Sequence, residues 1–171
     1  MTYLWRIAAQ RIQEKVADAP PSYLLESRAA SAERVRVTAE LTDLSDRTTD
    51  LAEVPVAIAF ERLREDLRPL TRFSGLEIEF IEPPQKGRAL PGEVAHAARA
   101  IVRGLVLAMT EQPDVSRVRT QWDCDGANLL INVRDDGRGV LSADAPSISR
   151  LDRRVQALAG QLRIDVMPRW G

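Results

Sequence analysis

The sequence predicts an α+β domain in which helices cover one face of a mixed sheet, preceded by an N-terminal helical hairpin. From residue 50 to residue 171, helical and strand periods follow in the order helix, strand, helix, strand, strand, loop, helix, strand. Residues 1–48 carry only helical patterns. We therefore expect two units, a hairpin over residues 1–48 and an α+β domain over residues 50–171.

The first predicted helix covers residues 1–18, because an apolar stripe recurs there at helical spacing: Leu4, Ile7, Ala8, Ile12 and Val16. Pro20 and Pro21 end it, since proline lacks the backbone donor and its ring clashes with the preceding turn. A second helix is predicted over residues 23–44, which are rich in Ala, Arg and Glu. A small domain does not need the apolar stripe of the first helix for its own core. We therefore expect a homodimer through residues 1–48.

The strongest helical pattern runs from Leu90 to Met109. A charged helix precedes it, with Val56, Phe60, Leu63, Leu67 and Leu70 at steps of four and three. Strands are predicted at residues 76–80, 118–122, 129–133 and 162–166, and a last helix at residues 148–158. Asp125-Gly126 is a hairpin turn pattern between the two middle strands.

Composition excludes several classes of protein. With 171 residues, 44% of them hydrophobic, the chain can bury a core. A net charge of -1, from 24 Lys+Arg and 25 Asp+Glu, offers no basis for nucleic-acid binding. The single cysteine, Cys124, fits a reducing cytoplasm, and the N-terminus has neither a signal peptide nor a membrane span. The predominance of Arg over Lys suggests a GC-rich bacterial genome. We expect a cytoplasmic bacterial protein with no membrane or nucleic-acid partner.

Three segments carry a family resemblance. Val133-Arg134-Asp135-Asp136-Gly137-Arg138-Gly139-Val140 is similar to the first glycine box, D-x-G-x-G, of the GHKL ATPase superfamily. Residues 153–164 resemble the segment after the second glycine box of nitrate-sensor and desaturase-sensor histidine kinases. Residues 90–94 and 101–103 look like the start of that family's N-box helix. The resemblance spans about residues 50–171 and implies a histidine-kinase-like ATPase domain, a two-layer α/β sandwich of the Bergerat type.

The resemblance assigns a base-reading role to the first glycine box. A carboxylate at the end of a strand can accept a hydrogen bond from the adenine amino group, and glycines let the backbone turn closely around the base. By resemblance, Asp135 reads adenine, while Gly137 and Gly139 make the turn. Taken alone, the same residues are also typical of an ordinary polar loop after a strand.

The sequence departs from the family where the family handles phosphate. The N-box glutamate, a general base, is replaced by Gly104, and the magnesium-holding asparagine by Ala108. The second glycine box reads Ser147-Ile148-Ser149-Arg150-Leu151. Thr42 stands where the phosphoacceptor histidine would, and the lone His96 is not expected to be catalytic. We expect ATP or ADP to bind weakly or not at all, without magnesium.

These departures predict a degenerate histidine-kinase-like module rather than an enzyme. It would act as a regulatory, scaffold or phosphotransfer-associated partner in bacterial two-component-type signalling, bound to a response regulator or another signalling protein. One alternative is an ATP-binding kinase or anti-sigma-type ATPase with unorthodox catalytic residues. Another is a plain interaction domain with a vestigial glycine box. Asp135 favours the enzyme, whereas Gly104 and Ala108 oppose it.

Overall fold

The computed structural model describes residues 3–10, 22–46, 52–125, 128–138 and 145–167; at residues 3–10, 22–24, 42–46 and 164–167 it describes the backbone alone. These ranges contain four helices and seven strands. In chain order they are β1 (Tyr3–Gln10), α1 (Ser22–Asp46), β2 (Val54–Pro55), α2 (Val56–Phe73), β3 (Glu77–Ile81), β4 (Ala89–Leu90), α3 (Gly92–Thr110), β5 (Arg117–Asp125), β6 (Asn128–Asp135), α4 (Pro146–Ala157) and β7 (Gly160–Met167).

The main sheet is mixed and has five strands in the order β3-β5-β6-β1-β7. Strands β5 and β6 are antiparallel, and the other neighbours are parallel. Side chains along β5 alternate strictly between exposed and buried, so one face of the sheet is covered and the other meets solvent. Helix α2 packs between α1 and α3, and α3 also contacts α4. The predicted α+β class is confirmed.

The N-terminal segment differs from the sequence prediction. The helix predicted over residues 1–18 is wrong at residues 3–10, which form β1. This strand pairs in parallel with β6, from Leu4 opposite Leu130, and with β7, from Tyr3 opposite Gly160. Aromatic and β-branched residues favour strands, and pairing on both sides satisfies the backbone groups of the segment. A short apolar run does not distinguish helix from strand by its period alone.

Two further predictions change with β1. Residues 3–10 belong to the main sheet, so they do not form a helical hairpin with α1. Part of the former stripe, Ile12 and Val16, lies outside the described residues. The homodimer through residues 1–48 stays a prediction, without the amphipathic helix that motivated it.

Most other elements form where the sequence predicts them. The five apolar residues of the α2 stripe are all buried, and Pro55 is the residue immediately before that helix. The antiparallel pairing of β5 and β6 confirms the hairpin, although residues 126–127 at its turn lie outside the described ranges. Strands β2 and β4 pair over two residues each, which is too short to leave a period in the sequence. Helix α4 ends at Ala157, before Gly160, and Ala159 takes the left-handed conformation with φ 55°.

The core lies between the helices and the covered face of the sheet. Phe60 and Trp122 meet edge to face, with ring centroids 5.6 Å apart. Helix α3 is buried on most of its circumference, because the sheet, α2 and α4 surround it. In the described ranges, every helix is too short or too polar to cross a membrane. Helix α3 also contacts β6, and the predicted site lies at the end of that strand.

Candidate functional site

The predicted base-reading carboxylate ends strand β6. Asp135 is 5% exposed, and its Oδ1 atom accepts a hydrogen bond of 2.8 Å from the backbone N–H of Gly137. This is the local turn that aspartate forms with the backbone two residues further on. The structure therefore brings together two of the three predicted site residues, while Gly139 lies outside the described part of the chain.

Gly137 has no room for a side chain. A Cβ atom there would lie 2.5 Å from Cγ2 of Val115 and 2.9 Å from Oδ1 of Asp135. Both distances are far below van der Waals contact, and Val115 is fully buried. The glycine of the D-x-G pattern is thus required by the close approach of the loop that follows α3.

Asp136 anchors the same turn to the start of β5. Its Oδ1 atom accepts hydrogen bonds of 2.9 Å from the backbone N–H groups of Ser116 and Arg117, and its Oδ2 atom accepts one of 2.5 Å from the Ser116 hydroxyl. The backbone N–H of Asp136 donates to the carbonyl of Arg117 at 3.2 Å. The Asp136 carboxylate thus joins two chain segments that lie about 20 residues apart in the sequence.

A further carboxylate supports the next residue of the motif. The backbone N–H of Arg138 donates to Oδ2 of Asp114 at 2.5 Å. The loop between α3 and β5 therefore contacts the motif at Gly137, Asp136 and Arg138 in turn. This arrangement fixes the backbone of the motif from one side.

Burial raises the pKa of the Asp135 carboxyl above its ordinary value. The N–H of Gly137 opposes this effect, because its hydrogen bond favours the charged form and lowers the pKa. The neighbouring carboxylates of Asp136 and Asp114 raise it again by charge repulsion. Asp135 is consequently a poorer anion than an exposed aspartate, though it retains its acceptor role toward Gly137.

The two positions of α3 that the resemblance aligns with the N-box are used for packing. A Cβ atom on Gly104 would lie 2.8 Å from Cδ2 and 3.2 Å from Cδ1 of Leu151 in α4. Ala108, one helical turn further on, is 7% exposed. Neither position presents an oxygen or nitrogen side-chain atom, so neither can accept a proton or coordinate a cation.

The start of α4 stands where the resemblance puts the second glycine box. The residue before the helix is Ala145, whose side chain makes no capping hydrogen bond, and Pro146 begins the helix. The N–H of Ser149 donates to the Ala145 carbonyl at 2.9 Å. Ile148 and Leu151 of this helix are buried in the core.

Other candidate residues lie away from the turn or outside the described side chains. His96 is half-buried near the start of α3, and the side chain of Thr42 is among those not described. Cys124 is buried on β5, and burial raises the pKa of its thiol. In the described ranges, no three His, Cys, Asp or Glu side chains gather in a way that could hold a metal ion.

Sequence reasoning missed two polar groups beside the turn. Oε1 of Gln112 is buried and lies 3.3 Å from the Cβ position of Gly137, without a hydrogen-bond partner among the described residues. Arg28 of α1 is 7% exposed, and its Nη1 donates to the carbonyl of Val115 at 2.7 Å. An arginine inside an Arg- and Glu-rich helix gives no indication in the sequence that it is buried.

The fold and the turn define an α+β protein with a buried aspartate-glycine turn at the end of a central strand. The chain is similar to a gliding motility regulatory protein of Myxococcus xanthus, with 30% identity over 134 residues. That similarity covers 70% of this chain and 17% of the longer protein. No protein-family model matches the chain, and no solved structure matches it.

Proposed function

We propose that the chain is a degenerate histidine-kinase-like module that regulates bacterial two-component-type signalling through protein contacts rather than through phosphoryl transfer. Its partner would be a response regulator or another signalling protein. The similarity to a gliding motility regulatory protein supports the regulatory part of this proposal.

The observation that carries the proposal is the packing of Leu151 against Gly104. Phosphoryl transfer needs a base or positioning group beside the nucleophile and a cation or donors on the phosphates. At Gly104 and Ala108, α3 instead offers an apolar surface, which α4 covers at Gly104. Restoring a carboxylate at position 104 would require Leu151 to move.

The proposal treats the base-reading half of the family's pocket as kept in altered form. Asp135 keeps its place at the end of β6, next to the turn at Gly137. We propose that this end can still accept a hydrogen bond from an amino group of a purine base, and that ATP or ADP gains little from its phosphates or from magnesium. Any nucleotide would then be a weak ligand rather than a substrate.

Incubation of the full chain with radiolabelled ATP and magnesium tests the absence of phosphoryl transfer. Phosphohistidine is labile in acid, so the protein is separated under alkaline conditions and its label is then challenged with acid. We expect no acid-labile label on the chain. Acid-labile label that disappears in a His96→Ala variant, with the variant still folded, would contradict the proposal and support the kinase alternative.

A further inference from the structure

A buried arginine of helix α1 contacts the loop that packs against the Asp135–Gly137 turn. Arg28 lies 87 residues before Val115 in the chain, yet its Nη1 donates to the Val115 carbonyl at 2.7 Å. Ser27, the preceding residue, donates from its hydroxyl to the carbonyl of Phe73 at the end of α2. The N-terminal half of α1 is thus fixed on α2 and on the loop after α3.

Burying the Arg28 guanidinium costs free energy. Burial lowers the pKa of the Arg28 guanidinium, while the nearby carboxylate of Asp136 raises it. The Nε atom is buried and has no hydrogen-bond partner among the described residues. A buried cation with an unpartnered donor destabilises a fold relative to an apolar side chain of similar volume. Stability therefore does not explain Arg28, and its geometry points to a positioning role.

Val115 connects the arginine to the turn. Its carbonyl accepts the Arg28 hydrogen bond, and its Cγ2 atom occupies the space beside Gly137, 2.5 Å from where a Cβ atom would be. The N–H of Gly137 is in turn the donor to Asp135. A displacement of the Val115 backbone would change the contact that keeps the turn closed over Asp135.

A second contact joins the same two elements on the surface. Nη2 of Arg36 lies 3.0 Å from Oε1 of Glu111, the residue that follows α3. Both side chains are well exposed, so this ion pair adds little stability in water. It provides a matched comparison for Arg28, because it links α1 to the same loop through exposed side chains.

We propose that Arg28 is a positioning residue that couples helix α1 to the Asp135–Gly137 turn, so that a displacement of α1 loosens the turn at the end of β6. The coupling runs through direct contacts from Arg28 to Val115, from Val115 to Gly137, and from Gly137 to Asp135. It rests on the proposed function only in treating this turn as the base-reading end of the site.

Hydrogen exchange measured by NMR on the full chain tests the coupling without nucleotide. The quantity of interest is the exchange rate of the Gly137 amide divided by that of the Leu105 amide in the middle of α3. In Arg28→Met, we expect this ratio to rise about tenfold, the effect of weakening one hydrogen bond at the turn. Arg28→Lys keeps the charge and one donor, so it should raise the ratio less. If Arg28→Met does not fold, the exchange ratio of Arg28→Lys decides whether Arg28 is coupled to the turn.

Two controls separate coupling from general loss of stability. Val35→Ala removes a buried side chain from the same helix, and Arg36→Gln removes the surface link. Arg36→Gln should leave the ratio unchanged, and Val35→Ala, which speeds global exchange and with it that of Leu105, should leave the ratio unchanged or lower it. An unchanged ratio in the Arg28 variants, or an equal rise in Val35→Ala, would overturn the inference. Because no nucleotide is present, that outcome would leave the proposed function standing.

Discussion

Leu151 of α4 lies directly over Gly104 of α3, with its Cδ2 atom 2.8 Å from the position that a Cβ atom on Gly104 would take. The absence of a side chain at position 104 therefore allows the two helices to approach each other. Leu151 is 8% exposed, so its side chain has little free space into which it can move. The two residues are predicted to be coupled energetically.

A double-mutant cycle measures that coupling by urea unfolding. Leu151→Ala should lower the free energy of unfolding by about 2–3 kcal/mol, because it leaves a cavity. With Leu151 absent, Gly104→Ala should raise it by up to about 1 kcal/mol, since alanine is the better helix former. With Leu151 present, the contact should offset that gain. The same gain in both backgrounds would show that the two residues do not interact.

Gly87 is the matched control for this cycle. A Cβ atom on Gly87 would meet no heavy atom within 4 Å. Gly87→Ala should therefore change the free energy of unfolding by less than about 1 kcal/mol, and by the same amount whether or not Leu151 is present. Coupling between Gly87 and Leu151 would indicate that the cycle reports a general effect of mutation.

Gly137→Ala should be clearly destabilising. The added Cβ atom would lie 2.5 Å from Val115 and 2.9 Å from the Asp135 carboxylate, and both neighbours are buried. Forcing such a contact typically costs about 1–3 kcal/mol. Thermal or urea unfolding, with Gly87→Ala beside it, provides the measurement. If both alanine variants unfold alike, the close packing of the turn against Val115 is wrong.

Asp135 should make the stability of the fold depend on pH. Burial raises the pKa of Asp135 in the folded state above that in the unfolded chain. The folded state therefore binds the proton more tightly, and the stabilisation is complete below the unfolded pKa of about 3.9. It is lost as the pH rises through the folded pKa, so ionised Asp135 costs stability at neutral pH.

Asp135→Asn isolates this effect, because the amide oxygen can still accept the hydrogen bond of Gly137 while carrying no charge. We expect the asparagine variant to gain stability relative to the wild type as the pH rises from about 4 to neutral. Urea unfolding across that range checks the sign. A difference between Asp135→Asn and the wild type that does not vary with pH would contradict the buried carboxylate.

The sequence predicts long and strongly periodic elements well, as α2 shows. Its apolar residues recur at helical spacing and are all buried, so the period and the packing agree. Residues 3–10 behave differently, because pairing with β6 and β7 selects a strand for a run that also fits a helix. Partner strands more than a hundred residues away leave no mark in the local pattern.

The candidate site is predictable where a motif describes one short segment. Asp135 and Gly137 belong to such a segment, and their turn follows from the aspartate and the glycine alone. The contributions of Arg28 and Val115 depend on contacts between distant parts of the chain. A helix rich in arginine and glutamate does not reveal which of its arginines will be buried.

In the proposed function, nucleotide affinity depends on the base-reading half of the site alone. A hydrogen bond to a charged group contributes about 1.5–3 kcal/mol, whereas millimolar affinity takes about 4 kcal/mol and micromolar affinity about 8. In the proposed site, Asp135 would supply the free energy of one such hydrogen bond, and stacking of the base would add to it. Gly104 and Ala108 supply nothing to the phosphates or to magnesium.

Isothermal titration calorimetry of the full chain with ATP, ADP and adenosine, each with and without magnesium, tests the degenerate module most directly. We predict binding in the millimolar range or weaker, with adenosine binding about as well as ATP and no effect of magnesium. Low-micromolar ATP binding that requires magnesium, and that Asp135→Asn abolishes, would contradict the proposal and support an active ATPase or kinase in its place.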